Sequence, residues 1–180
     1  MVVPDYIAFL RAINLGKNRK FPMADLRKCL GDQGLSDVET YIQTGNVRLR
    51  SPLRSTTKVA DHLERIFEKD RGFAVRTVVM TPAELRQVYA DAAGLVAPIA
   101  GEVRRYVTLL QQPAPLEAAA EIEAIELTDE AARVVGRAVH VWIRDGYQNA
   151  RINNARIERL LGVATTRDLK VITTLASRWA

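Results

Sequence analysis

Polar side chains suited to binding an anion are concentrated in three short segments of the sequence. They are Arg11, Asn14 and Lys17 in the first segment, Gln43 and Asn46 in the second, and Thr166 and Arg167 in the third. Each segment is expected at a strand end or a helix start, where ligands of α/β proteins commonly bind. Helix starts also present free N–H groups and partial positive charge. The pattern therefore predicts a composite site for a small anionic or phosphate-bearing ligand.

The second and third segments also have a purely structural interpretation. Asn46 follows Gly45, and asparagine tolerates the positive φ values of tight turns. Thr165 and Thr166 suit the cap of a helix, with Arg167 paired to Asp168 on the surface. These alternatives stay open on the sequence alone.

The sequence contains no recognisable catalytic or cofactor-binding motif. Neither His62 nor His140 has a second histidine or cysteine at metal-ligand spacing, so no metal site is expected. Gly16-Lys17 lacks the other residues of a phosphate-binding P-loop, and no cofactor is predicted. Cys29 lies on an apolar helical stripe, as a structural thiol would. An enzyme that acts on a phosphorylated substrate by positioning alone is therefore only a third hypothesis.

The net charge of +5 is distributed unevenly along the chain. Residues 1–80 carry 14 Lys/Arg against 9 Asp/Glu, residues 81–136 carry 4 against 9, and residues 137–180 carry 8 against 3. Basic surfaces favour phosphate-bearing partners, including nucleic acid. The segment 144–156 adds Tyr147, which could stack on a base, although the same composition suits an ordinary loop. Nucleic-acid binding is thus the second hypothesis, and a solvated surface is its structural alternative.

Composition narrows the class of protein further. With 180 residues and 48% hydrophobic content, the chain can bury a substantial core. Its single cysteine fits a reducing compartment, so the cytoplasm is expected. The apolar runs are too short to cross a bilayer, and no membrane partner is predicted. Composition does not predict the oligomeric state.

The order of elements in the first half is typical of a ferredoxin-like fold. A buried strand at residues 5–13 precedes a helix that begins near Pro22. Alternating residues from Val38 to Arg50 predict a β-hairpin with its turn at Gly45-Asn46. A helix capped by Ser55 or Thr56 and a strand at residues 73–80 complete the βαββαβ order.

The second half is predicted to repeat this theme after a loop at residues 94–101. We expect an N-terminal ferredoxin-like subdomain at residues 1–94 and a C-terminal α+β subdomain at 95–180 with two closing helices. Its predicted elements are strands at 104–110, 122–127, 132–135 and 139–144, a helix at 115–121, a helix around Ile157, and a last helix from about Thr166 to Trp179. The fold class is α+β.

Three motifs resemble a known bacterial family. They are YIAFLRAINLGKNRKFPMADLRKCL, YIQTGNVRLRS and ATTRDLKVITTL, and their order and spacing match domain of unknown function 1697 over roughly residues 5–178. The resemblance implies an α+β protein of two subdomains of similar topology with mixed sheets, and it implies no activity.

The chain departs from the family pattern near its C-terminus. Asp168 and Leu169 stand where similar proteins usually have asparagine and tryptophan, and Ile152-Asn153-Asn154 replaces a serine-lysine pair. A carboxylate beside Arg167 weakens the attraction for an anion. A site in that region would bind a different ligand or bind weakly.

Overall fold

The chain divides into two compact units. The computed structural model describes residues 3–125 and 127–180. Unit 1 consists of Met1–Leu85 with Trp179–Ala180, and unit 2 consists of Arg86–Arg178. The division falls within a helix, Pro82–Gly94, and the boundary at residue 94 stays a prediction.

Unit 1 has the predicted ferredoxin-like order. Its elements are β1 (Asp5–Leu10), α1 (Met23–Asp32), β2 (Ser36–Tyr41), β3 (Asn46–Arg50), α2 (Thr56–Arg71), β4 (Thr77–Met80) and the start of α3 (Pro82–Gly94). The sheet order is β2-β3-β1-β4, and each neighbouring pair is antiparallel. Helices α1 and α2 bury their apolar stripes against one face of this sheet, where Phe21 and Phe67 pack edge to face with ring centroids 5.3 Å apart.

Unit 2 repeats the same topology. Its elements are β5 (Arg104–Leu110), α4 (Leu116–Glu123), β6 (Glu130–Val135), β7 (Ala138–Ile143), a 3₁₀ turn (Tyr147–Asn149), α5 (Asn154–Leu161), β8 (Ala164–Asp168) and α6 (Leu169–Trp179). The sheet order β6-β7-β5-β8 reproduces that of unit 1, position for position. The prediction of an α+β fold with two halves of similar topology is confirmed.

The sheets differ in one respect from the mixed sheets that the resemblance implies. Every strand pair recorded in the described residues is antiparallel. In a split βαβ unit, the helix joins two parallel strands that are not neighbours, because a strand of opposite direction is inserted between them.

The segment predicted to begin the last helix is instead a strand. Residues Ala164–Asp168 form β8, in which Thr165 pairs with Leu109 and Thr166 with Thr108 of β5. Consecutive β-branched residues favour this extended conformation. The helix begins only at Leu169.

The predicted strand at residues 122–127 is also absent from the described part of that segment. Ile122 belongs to α4, where it packs into the core of unit 2 one helical turn after Ala118. Ala118 and Ile122 are four residues apart and therefore lie on the same face of the helix. The sequence prediction did not recognise this helical spacing. Residue 126 lies outside the described residues.

The hairpin is confirmed, with a different distribution of turn conformations. Gly45 takes φ +80°, but Asn46 is the first residue of β3, and the second positive φ in the turn is that of Ile42 at +50°.

None of the helices among the described residues is long and apolar enough to span a membrane.

Candidate functional site

Asn14 fastens the loop after β1 to the hairpin turn. Its side-chain Nδ2 donates to the backbone oxygens of Phe21 (2.9 Å) and Gln43 (2.8 Å), and its Oδ1 accepts from the Phe21 N–H at 2.8 Å. The structure thus brings two predicted site residues together, Asn14 and Gln43. Because the Asn14 amide already makes three internal hydrogen bonds, it has little capacity left for a ligand.

The hairpin turn approaches β1 closely at Gly45. The Leu10 N–H donates to the Gly45 carbonyl at 2.8 Å, and a Cβ on Gly45 would lie 2.8 Å from side-chain atoms of Leu10 and Ile13. Beside it, Asn46 is buried and donates to the Tyr41 carbonyl (3.0 Å) and the Thr44 hydroxyl (3.1 Å). The Asn46 amide therefore holds the turn together.

The remaining predicted residues of unit 1 differ in exposure. Arg11 is half-buried and donates its backbone N–H to the Arg76 carbonyl, whereas Lys17 and the side chain of Gln43 are exposed. Arg19, which the sequence did not single out, donates to the carbonyls of Ala12 (2.7 Å) and Ala74 (2.6 Å). Arg19 therefore stabilises the loop internally, while Lys17 and Lys20 project into solvent.

In unit 2, Thr166 lies at the centre of a hydroxyl network. Its Oγ1 is 2.8 Å from the Thr108 hydroxyl, 2.9 Å from the Tyr147 hydroxyl and 3.0 Å from Asn154 Oδ1. The Tyr147 oxygen also accepts from the Asn154 backbone N–H at 2.7 Å. This network ties β8 and β5 to the loop that follows β7.

Arg167 points into the interior of the protein. It is only 7% exposed, and its Nη1 donates to the Thr165 hydroxyl and the Thr166 carbonyl, both at 2.9 Å. Burial lowers the pKa of its guanidinium to about 10. The predicted site residues are thus divided between units, with Arg11, Asn14, Lys17, Gln43 and Asn46 in unit 1 and Thr166 and Arg167 in unit 2.

Three cavities of unit 2 share Arg104 as a lining residue. Their volumes are about 570, 440 and 300 Å³. We call this region the Arg104 groove. Its charged lining residues are Arg104, Arg105, Arg144 and Lys170 with Glu102, Asp145 and Asp168.

One end of the Arg104 groove lies at the start of α6. Lys170 and Arg105 line it there, and Asp168 accepts the Lys170 backbone N–H at 2.8 Å. Asp168 thereby caps the helix, so a ligand would meet side-chain cations more than free N–H groups. The sequence missed this cluster because Arg104 reaches the loop after β7 only through the β5–β7 pairing, in which it lies opposite Ile143.

The other end of the groove has an aromatic wall. The ring centroids of Tyr106 and Tyr147 lie 4.9 Å apart, and the angle between the two ring planes is 47°. Both tyrosines line the cavity of about 300 Å³. Gly146, at φ +90°, turns the chain directly before Tyr147. The hydroxyl network of Thr166 fixes the orientation of the Tyr147 ring.

A separate cavity of about 350 Å³ lies in unit 1 between α1 and α2. It is lined by residues of both charges and by Cys29, whose pKa burial raises to about 11. The Cys29 thiol is therefore protonated at neutral pH and unsuited to be a nucleophile. No group of three or more metal-ligating side chains is placed to hold an ion in the part of the chain that the structure describes.

The amino-acid sequence of this chain also matches a known protein family. The family described as "Protein of unknown function (DUF1697)" matches residues 3–140. The chain belongs to this family. Comparison of this DUF1697 protein with curated proteins gives no match.

A solved structure supports the same fold for this DUF1697 protein. It is the conserved bacterial protein SP0830 from Streptococcus pneumoniae, with a TM-score of 0.75 and 23% sequence identity, and the alignment covers 98% of both chains. At this identity the likeness establishes the fold alone.

Proposed function

We propose that this DUF1697 protein binds a small phosphate-bearing ligand in the Arg104 groove. The observation that carries the proposal is that Arg104 lines all three cavities of the groove, with Arg105 and Lys170 beside it at the start of α6. A guanidinium can bind two phosphate oxygens at once, and a lysine adds a point charge. This combination favours an anion at that end of the groove.

The aromatic wall favours an organic phosphate over the free ion. Tyr106 and Tyr147 offer ring surface within a cavity of about 300 Å³, a volume suited to a small group. In this proposal Thr166 is a positioning residue, since its hydroxyl holds Tyr147 in place. The contacts predicted for Arg11, Lys17 and Gln43 belong to unit 1 and stay a prediction separate from this groove. A cytoplasmic location is proposed from the single cysteine.

Titration with inorganic phosphate and with phenyl phosphate tests the proposal. Arg104→Met should weaken binding of both by tenfold or more, which corresponds to a loss of about 1.4 kcal/mol. Arg159→Met, which removes an exposed arginine outside the groove, is the matched control. Equal binding by the two variants would exclude the groove, while Arg11→Met tests the contact predicted in unit 1.

Asp168 supplies a second arm of the same experiment. Asp168→Asn keeps an oxygen to cap α6 but removes a negative charge from the groove. Phosphate should therefore bind more tightly to this variant than to the parent protein. Unchanged binding would place the anion elsewhere.

Nucleic-acid binding is the second candidate function. The Arg104 groove combines cations with tyrosine rings, the combination that binds single strands. Anisotropy of a labelled oligothymidine should then fall steeply with salt. An enzymatic role has less support, because no histidine lines the groove in the described ranges.

A further inference from the structure

Two exposed apolar residues of unit 1 lie on segments that a side-chain hydrogen bond joins. Leu15 is 66% exposed and Ile42 is 42% exposed. They sit on different segments, but each neighbours a residue of the Asn14–Gln43 hydrogen bond. We call Leu15, Lys17, Lys20 and Ile42 the loop–turn surface.

The backbone beneath this surface adopts an unfavourable conformation. Asn14 has φ +55° and Ile42 has φ +50°. Asparagine tolerates this region, but a β-branched residue there is a genuine outlier. A glycine or asparagine at position 42 would form the turn without strain and without exposing an apolar side chain, so folding does not explain Ile42.

Internal hydrogen bonds link the two segments that carry the loop–turn surface. Asn14 makes three side-chain hydrogen bonds, and Arg19 makes two more to backbone carbonyls. The Arg19 guanidinium also lies 4.8 Å from the centre of the Phe73 ring. Such preorganisation lowers the entropy lost on binding.

The charge of the surface has one sign. Lys17 and Lys20 are exposed, and neither forms an ion pair with the residues that the structure describes. The sequence has no aspartate or glutamate from Tyr6 to Ala24 or from Thr40 to Ala60. A complementary partner must therefore be acidic as well as apolar.

We propose that the loop–turn surface docks an acidic segment of a partner protein that also carries apolar side chains. Leu15 and Ile42 contact its apolar residues, while Lys17 and Lys20 face its carboxylates. The same surface of a second copy would bring like charges together, and a phosphate backbone offers nothing for Leu15 and Ile42 to contact. The interaction is independent of the Arg104 groove.

A labelled peptide of alternating glutamate and leucine is the probe. It should bind the parent protein saturably, and Leu15→Ser combined with Ile42→Asn should weaken binding at least tenfold. Lys17→Gln with Lys20→Gln should weaken it at low salt and flatten its salt dependence. Leu116→Ser with Val96→Ser, which alters side chains 89% and 85% exposed elsewhere, should leave binding unchanged.

Ile42→Asn alone separates a binding role from a structural one. Because asparagine accepts positive φ, this variant should unfold at a higher temperature than the parent while binding the peptide more weakly. Several outcomes would overturn the proposal. They are no saturable binding in the millimolar range, equal weakening by the Leu116 and Val96 control, a self-association that Leu15→Ser abolishes, and binding of oligothymidine that depends on the lysines alone.

Discussion

The side chain of Asn14 donates a hydrogen bond of 2.8 Å to the backbone carbonyl of Gln43, across 29 positions of sequence. The sequence predicts that both residues lie at strand ends, where polar side chains commonly bind ligands. In the folded chain, Asn14 serves the architecture by joining the loop after β1 to the hairpin turn. That contact also joins the segments that carry Leu15 and Ile42.

Replacing Asn14 should destabilise unit 1. Asn14→Ala removes three hydrogen bonds and leaves the Phe21 and Gln43 backbone groups without this partner, so a loss of about 1–3 kcal/mol is expected. Urea unfolding measures the effect. Asn18→Ala, at an exposed position of the same loop, should change stability by less than about 0.5 kcal/mol. Equal values for the two variants would show that the Asn14 network contributes nothing.

Gly45→Ala should cost more than an equivalent change at Gly34. Both glycines have positive φ, at +80° and +76°, but an added Cβ would lie 2.8 Å from Leu10 and Ile13 only at position 45. We expect about 1 kcal/mol at Gly34 from backbone conformation and at least about 2 kcal/mol at Gly45, where overpacking adds to it. Thermal unfolding of the two variants side by side decides whether the close approach matters.

Thr166→Val and Tyr147→Phe should each destabilise unit 2 and should not be additive. Each removes one hydroxyl of a shared network, at a cost of about 1–3 kcal/mol, because the partner groups are left unsatisfied. In a double-mutant cycle of unfolding free energies, a coupling of about 0.5 kcal/mol or more is expected. An additive result would mean that the 2.9 Å contact does not hold Tyr147.

His140 should make the protein sensitive to acid. It is 1% exposed on β7, and neither ring nitrogen has a hydrogen-bond partner among the described residues. Burial lowers its pKa from the ordinary value of 6.5 to about 4. Between those values the unfolded chain binds a proton that the folded chain does not, so stability falls as pH drops from 6.5 to 4, by up to about 3 kcal/mol.

The variant His140→Phe isolates that contribution. Its free energy of unfolding should fall less between pH 7 and pH 4 than that of the parent, whereas His62→Gln should retain the parent's loss. Denaturant unfolding at several pH values measures the difference. A parent-like loss in His140→Phe would assign the acid sensitivity to carboxylates instead.

Helices and strands whose buried positions follow a regular local spacing could be predicted from the sequence. Pro22 before the stripe of Met23, Leu26 and Leu30 predicted α1, and alternation from Val38 to Arg50 predicted the hairpin. In both cases the spacing of apolar residues within a short stretch of sequence indicates the type of element. The segment 164–168 was misread, because threonines serve equally as helix caps and as strand residues. Only pairing with β5 decides between these roles.

The candidate sites follow a different rule. By itself, the sequence determined the order of elements in the first half, the family and the basic character of the chain ends, since these depend on residue types and short-range periodicity. The tertiary structure alone decided that the side-chain amides of Asn14 and Asn46 form hydrogen bonds within turns. It also decided that Arg167 is buried and that Arg104 lines a cavity with Tyr147. Such contacts depend on which strands become neighbours, and that pairing is set by the packing of the whole chain.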